Sequence, residues 1–385
     1  MGGVSKLLAV LLIGLVNLTT PYTCKSQEFT RNNDVNVSLL TCSAGSELYS
    51  AYGHSAVRVK DPKLGLDIVF NYGTFDFGTP FFYLKFLNGT LDYMLSTADF
   101  SRFIRSYSRE GRGVVEKELI LSSEQKAEIE RLLIENMRPE NRFYRYDFFF
   151  DNCATRIRDI VFKVANVDDA KLKATTDDDL TFRDCIHEKV GPNDWSGFGI
   201  DIILGVRADK KASAYDKAFL PDYLDTLFGD AQLTAHGNVL LEKRVEDAEP
   251  GIITPAVCAS LFLLIIVGVG AVERKKRRWL RGFDIALAVV CSLLSLLLWY
   301  LWVVSEIKIT SYNLNVLWAS VLWIPLIYAI AKRKSAMIRA LVMANQALLA
   351  VYFIVVATGV QYASVPIMVI AFALGWRSIF LRKRV

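Results

Sequence analysis

The chain has 385 residues, 52% of them hydrophobic, and a formal net charge of +5. So large an apolar share excludes an ordinary soluble protein. Residues 252–385 hold 15 Lys/Arg against three acids, a net of +12, which leaves −7 for residues 1–251; the basic excess belongs to the apolar half and gives no ground for nucleic-acid binding.

In chain order, Lys6 precedes the short apolar run Leu7 to Val16, the pattern of a signal-peptide core with cleavage after Ser26. Residues 1–26 therefore read as a signal peptide and 27–250 as an exported domain. Within it, Val37 to Cys42 predicts a strand and Glu47 to Ala51 a helical turn. His54 to Val59 and Leu66 to Tyr72 alternate like the strands of a hairpin, parted by the turn Lys60 to Gly65. The aromatics of residues 80–96 read as ordinary core, or in part as an acyl groove facing a bilayer. A helix over Thr97–Tyr107, a strand over Glu116–Leu121, an amphipathic helix over Ser123–Asn136 and an aromatic strand over Phe143–Phe150 follow, leading to a helix that opens at Cys153. Asp177 to Asp179 reads as a solvated loop or cap, Ala214 to Phe228 as a packing helix, and Glu242 to Glu249 as a charged linker.

After Gly251 come five apolar stretches, about 254–272, 283–304, 314–331, 340–359 and 360–376, each near the ~20 residues that cross a bilayer. Six Lys/Arg lie between the first two, four between the third and fourth, and four, beginning with Arg377, after the fifth; only Lys308 falls in an alternate loop. Lys and Arg near span ends stay cytoplasmic, so this bias predicts five spans over 251–385, a cytoplasmic C-terminus and residues 27–250 outside. Trp299, Trp302 and Trp318 read as an aromatic belt at one level. Asn313 and Asn315 beside them read as contacts to a lipid head group or to the outer domain, against the simpler reading of polar glue between helices.

Cys153 carries the chemical reading. A thiol on the first turn of a helix meets free N–H groups and the positive end of the dipole, which predicts a lowered pKa. Asp151-Asn152 before it supplies a cap and oxyanion contacts, with Asn152 as a substrate-binding residue. His54, one of three histidines, follows Tyr52-Gly53; the glycine leaves room for substrate beside the ring and Tyr52 lines it. If the hairpin closes about Lys63, His54 faces Asn71 to Gly73, so Asn71 is the candidate third residue and Asp76 the reserve. Either residue could instead shape the turn, and a Cys at a helix start is most often a small buried hydrophobe. Without the leader, three thiols remain outside the membrane half; a Cys42–Cys185 disulfide would leave Cys153 free, although both could equally be buried thiols. No metal-ligand spacing occurs, so neither a metal nor a cofactor is expected.

The stretches Glu47 to Val59, Asn71 to Phe77, Pro139 to Arg142 and Asp151 to Arg156 resemble the N-terminal periplasmic domain of Lnb-type bacterial lipoprotein N-acyltransferases. Asn313-Leu314-Asn315 with Trp318 extends the resemblance into the membrane half. The order His then Asn-Cys is similar to permuted papain-like, NlpC/P60-like thiol enzymes. The resemblance implies an α+β papain-like extracytoplasmic domain followed by a five-helix membrane domain. It also implies Cys153 as nucleophile, His54 as base, a phospholipid as acyl donor and a diacylated lipoprotein as acceptor, in the bacterial inner membrane. Two other readings fit the same residues: a membrane-anchored cysteine peptidase or amidase acting on cell-wall peptide, and a non-enzymatic assembly factor in which both residues are structural.

Overall fold

The computed structural model describes residues 35–174, 179–244 and 251–384. The expected signal peptide, Asp177-Asp178 and residues 245–249 of the linker lie outside them. The outer part is built on strands β1 (Asn36–Cys42), β2 (His54–Asp61) and β3 (Leu66–Thr74), then helix α1 (Phe82–Asn88), β4 (Asp92–Asp99), α2 (Phe100–Arg109), β5 (Val114–Glu118), α3 (Ser123–Met137) and β6 (Phe143–Arg145). Helices α4 (Cys153–Ala165), α5 (Asp169–Ala174), α6 (Phe182–His187), α7 (Trp195–Ile203), α8 (Ala214–Lys217) and α9 (Pro221–Asp230) follow, and β7 (Asn238–Leu241) closes the part. All seven strands pair antiparallel in the order β6-β4-β3-β2-β1-β5-β7.

Strand alternation sorts the sheet into two apolar faces. Val37 and Leu39, Val57 and Val59, and Phe70 and Tyr72 pack with Ile129, Ile157 and Phe228 of α3, α4 and α9. Leu40 and Cys42, Ala56 and Val69 turn the other way, onto Phe103 of α2. Each fully buried Val, Leu or Phe contributes about 1.5–3 kcal/mol, so the two-faced pattern fixes the register. At the β2–β3 turn, Asp61 Oδ1 accepts from the N–H groups of Lys63 and Leu64.

The predicted strands and helices form with small shifts of their ends, except over residues 146–150 of the aromatic run. There β6 stops at Arg145; the Asp147 carboxylate accepts from Phe149 and Phe150 N–H, and Asp147 bridges Asp151. An Asx turn has displaced strand pairing. Likewise Pro221, which cannot donate within a helix, divides the expected Ala214–Phe228 helix into α8 and α9.

The remaining helices are α10 (Pro255–Lys276), α11 (Arg281–Val303), α12 (Trp323–Ala331), α13 (Ser335–Ala357) and α14 (Val365–Arg384). Among the described residues four of them, all but α12, are long and apolar enough to cross a membrane. The expected third span instead divides into a 3-10 turn, Leu314–Leu317, and the nine residues of α12. Pro325 cannot sit inside a continuous helix without losing a backbone bond, and it falls in the first turn of α12, where the loss is tolerated. The polar residues of the irregular stretch are buried with their neighbours: Asn315, Trp318, Ala319 and Ser320 are each at most 3% exposed, as polar groups at membrane depth must be. Trp318 is therefore a bundle residue, whose indole donates to Asn315 Oδ1 (2.9 Å), and only Trp299 and Trp302 stack at the outer end of α11. Arg377 is also reassigned. It lies within α14, 1% exposed and bound to Glu273 and Asp284, so it is no free basic residue flanking a span.

Candidate functional site

The start of α4 is held by a capping box. Asn152 Oδ1 accepts from the N–H groups of Ala154 and Thr155, both at 2.9 Å, and Thr155 Oγ1 accepts from Asn152 N–H. The amide nitrogen of Asn152 donates to the carbonyls of Phe148 and Phe219, both at 2.7 Å. With both amide hydrogens engaged, Asn152 positions the helix and has no donor left for a substrate oxyanion, contrary to the role expected from its place before Cys153.

Cys153 is 7% exposed. Burial pushes its thiol pKa up, opposed by the N–H groups of Ser55, Ala154 and Cys153 itself. The expected lowering by the helix start is thus present in kind and outweighed by desolvation. Ser55 is the residue after His54, so the amide aimed at the sulfur brings β2 and α4 to one corner. On the neighbouring strand, Gly73 has φ +86°, and a Cβ there would stand 3.7 Å from Cys153 Cβ and 3.3 Å from Tyr146. Gly53, at φ +79°, is required for a different reason than substrate access: a Cβ would meet the Cys42 carbonyl at 2.8 Å.

The Asn71 side chain acts on His54 so as to favour its protonated form. Burial and the nearby Arg112 charge act the other way and hold the imidazole down to about 4. Asp76, the reserve choice, accepts from Gly78 N–H at 2.8 Å and shapes the following turn. Arg112 is the residue that sequence reasoning missed. It is 6% exposed, donates to the Ser43 carbonyl (2.8 Å) and Glu110 (3.2 Å), and its Nη2 has no partner among the described residues. Its only signal in the sequence is a cation between two glycines at a strand start.

The other nominated residues have partners of their own. Tyr52 packs edge-on against Phe148, ring centroids 4.7 Å apart. Asn313 donates to the Ile202 carbonyl (2.7 Å), and Asn315 to those of Asp201 (3.2 Å) and Ile202 (3.0 Å), so both grip the C-terminal end of α7. Their oxygens accept from Asn315 N–H and from Trp318 and Tyr352. This is the outer-domain contact allowed by the sequence; buried and engaged on both sides, the pair does not meet a head group. Cys42 is a free thiol buried beneath α2, with burial raising it to about 12, so it makes no bridge to Cys185.

A raised thiol and a lowered imidazole leave both neutral near pH 7. Alkylation of Cys153 by iodoacetamide, followed by peptide mass spectrometry, is therefore expected to accelerate about tenfold per pH unit from 7 to 9, because only the thiolate reacts. A plateau reached below pH 7 would instead require a preformed thiolate–imidazolium pair.

An antiparallel sheet domain with a helix-start thiol at the strand end that carries His54, joined to a bundle of long apolar helices, defines a multi-pass membrane protein with a large extramembrane domain. The chain belongs to the Lnb family: the model of the Lnb N-terminal periplasmic domain matches residues 22–185 and that of the Lnb transmembrane domain matches residues 247–384. The domain holding Cys153 and His54 is accordingly periplasmic. Neither a curated protein nor a solved structure matches the chain.

Proposed function

We propose that the protein is a lipoprotein N-acyltransferase working through Cys153 and His54. The observation that carries this reading is the buried thiol at the N-terminus of α4, with the Ser55 N–H turned toward its sulfur, at the strand end that carries His54. Such a thiol domain joined to a membrane bundle is suited to substrates that both reside in a bilayer.

In the first half, His54 takes the Cys153 proton as the sulfur attacks a phospholipid ester carbonyl. The N–H groups of Cys153 and Ser55 face the oxyanion; the C–O bond breaks, and His54 returns the proton to the departing lysophospholipid oxygen. In the second half, the α-amine of a diacylglyceryl-cysteine attacks the thioester. His54 accepts the amine proton, an amide forms, and the thiol is restored with that proton. The balance needs neither ATP nor an oxidant. Arg112 disfavours charge on His54 and so keeps it a base at rest.

The thiol-bearing helix packed on an antiparallel sheet supports a permuted papain-like fold, with His54 preceding Cys153 in the chain. The domain plan follows the sequence: signal peptide 1–26, catalytic domain 27–250, membrane domain 251–385 with its C-terminus in the cytoplasm. The 3-10 turn and α12 together make the fifth crossing beside α13, since Asn315 meets Tyr352 and Ser320 meets Asn345.

Mass spectrometry of lipoprotein N-terminal peptides tests the activity. Cells with the protein should yield a third acyl chain on the N-terminal cysteine, and cells from which it is removed a free amine. Unchanged triacylation after removal would overturn the reading.

A further inference from the structure

Of the aromatics of residues 80–96, Tyr93 is core and Phe82 packs against it, whereas Phe81, Tyr83 and Phe86 are not core. Phe77, Phe81, Tyr83, Leu84 and Phe86 are each more than half exposed, a contiguous apolar surface of the kind that marks an interaction site. Phe81 is also held at φ +57°, a left-handed conformation that costs a bulky residue about 1–3 kcal/mol, and its ring points outward nonetheless. An exposed phenyl on a strained backbone has two costs that water does not offset.

What covers this surface follows from where α1 is tied. Ser305 Oγ donates to the Leu87 carbonyl (2.9 Å), Glu306 N–H to that of Asn88 (2.9 Å), and Tyr300 hydroxyl to Asn88 Oδ1 (3.3 Å). These partners lie at the outer end of α11, level with the stacked Trp299 and Trp302, where aromatic side chains mark the boundary between hydrocarbon and head groups. The exposed residues of α1 are thus carried on a helix tied to that end of the bundle.

Behind that face the rings form a connected series. Phe86 lies 6.3 Å from Phe82, Phe82 5.8 Å from Phe75, Phe75 5.2 Å from Tyr93, and Tyr93 stacks on Tyr146 at 4.2 Å, centroid to centroid. Tyr146 and Cys153 then flank Gly73, whose missing Cβ leaves the gap between them open. Beside the series runs a cleft of ≈ 470 Å³, lined by Phe75, Met94 and Phe143 and also by the polar Thr74, Thr79, Asp76 and Asp92.

We propose that Phe81–Phe86 is an anchor inserted into the outer leaflet, and that the series Phe86, Phe82, Phe75, Tyr93, Tyr146 is the track along which a phospholipid acyl chain reaches Cys153. The anchor stands on exposure and attachment alone; the track rests on the acyl-transfer reading. The track explains why the thiol can be so buried: its substrate is apolar and arrives from the membrane side, so water need not reach the sulfur.

The test uses the full chain in vesicles of phosphatidylethanolamine and phosphatidylglycerol doped with a phospholipid bearing a diazirine on its acyl chain. Photolabel is expected on residues 75–86 and on the peptides containing Tyr93 and Tyr146, as well as on the membrane helices. Label confined to residues 255–384 would overturn the proposal. In the triple variant F81S/Y83S/L84S, label at Tyr146 should fall at least fivefold while label on α10 is unchanged, and undiminished label at Tyr146 would sink the track. If Tyr146 is labelled but Cys153 never carries an acyl group, the track stands and the transferase reading fails.

Discussion

Replacing Cys153 by Ala should lower transfer of a phospholipid acyl chain to a lipoprotein amine by roughly 10³ or more, since no thioester can form. His54→Ala should do nearly the same, and the double variant should be no worse than either alone, because nucleophile and base act as one unit. Both variants should remain in the membrane: Cys153→Ala removes one sulfur, and the Asn152 capping box that secures α4 is untouched. Asn71→Ala should cost less, about 10- to 100-fold, because it removes a group that favours the protonated ring and leaves the ring itself. The measurement is mass spectrometric, following acyl-Cys153 in the purified protein and N-acylated peptide as product. Retention of more than about a tenth of wild-type transfer by Cys153→Ala would rule out covalent catalysis and favour the structural reading of the pair.

The pair was legible because its signals are local. A helix start can be read from Asp151-Asn152 before an amphipathic run, and the two-faced alternation of β1, β2 and β3 can be read from Val37 to Tyr72. Hairpin geometry also brought Asn71 toward His54, with no knowledge of the rest of the sheet. What could not be read depends on burial. The Cys153 thiol was expected to be acidified by its helix, and the balance is reversed by its burial in the main core. Arg112 lies far from both residues in sequence and reaches them only because β5 pairs with β1, which pairs with β2. Hydropathy counts apolar residues and cannot see a turn, so 314–331 read as one transmembrane helix although a 3-10 turn and Pro325 divide it. Of the two contacts read for Asn313 and Asn315, a head group or the outer domain, they make the second, to carbonyls of α7.

Arg377→Met should be the most damaging substitution in the membrane half. The guanidinium makes two forked pairs, to Asp284 at 2.7 and 2.8 Å and to Glu273 at 2.8 and 2.9 Å, and all three side chains are nearly sealed from solvent. The carboxylates have further donors, Trp279 on Asp284 (2.6 Å) and Leu280 N–H on Glu273 (2.7 Å), so the cluster joins α10, α11 and α14 with its hydrogen bonds satisfied. Removing the cation leaves two buried carboxylates without it, a cost of about 3–5 kcal/mol for breaking such a pair. Arg377→Lys should be only partly better, because an ammonium cannot hold two forks at once. The decisive comparison is Glu273→Gln/Asp284→Asn/Arg377→Met, which removes every charge while keeping volume. Replacing a buried ionic cluster by neutral groups is far cheaper than unbalancing it, so the triple variant should accumulate in membranes and, in detergent, unfold at a higher temperature than Arg377→Met alone. If the two unfold together, the cluster contributes by shape rather than by charge, and the argument from burial is wrong.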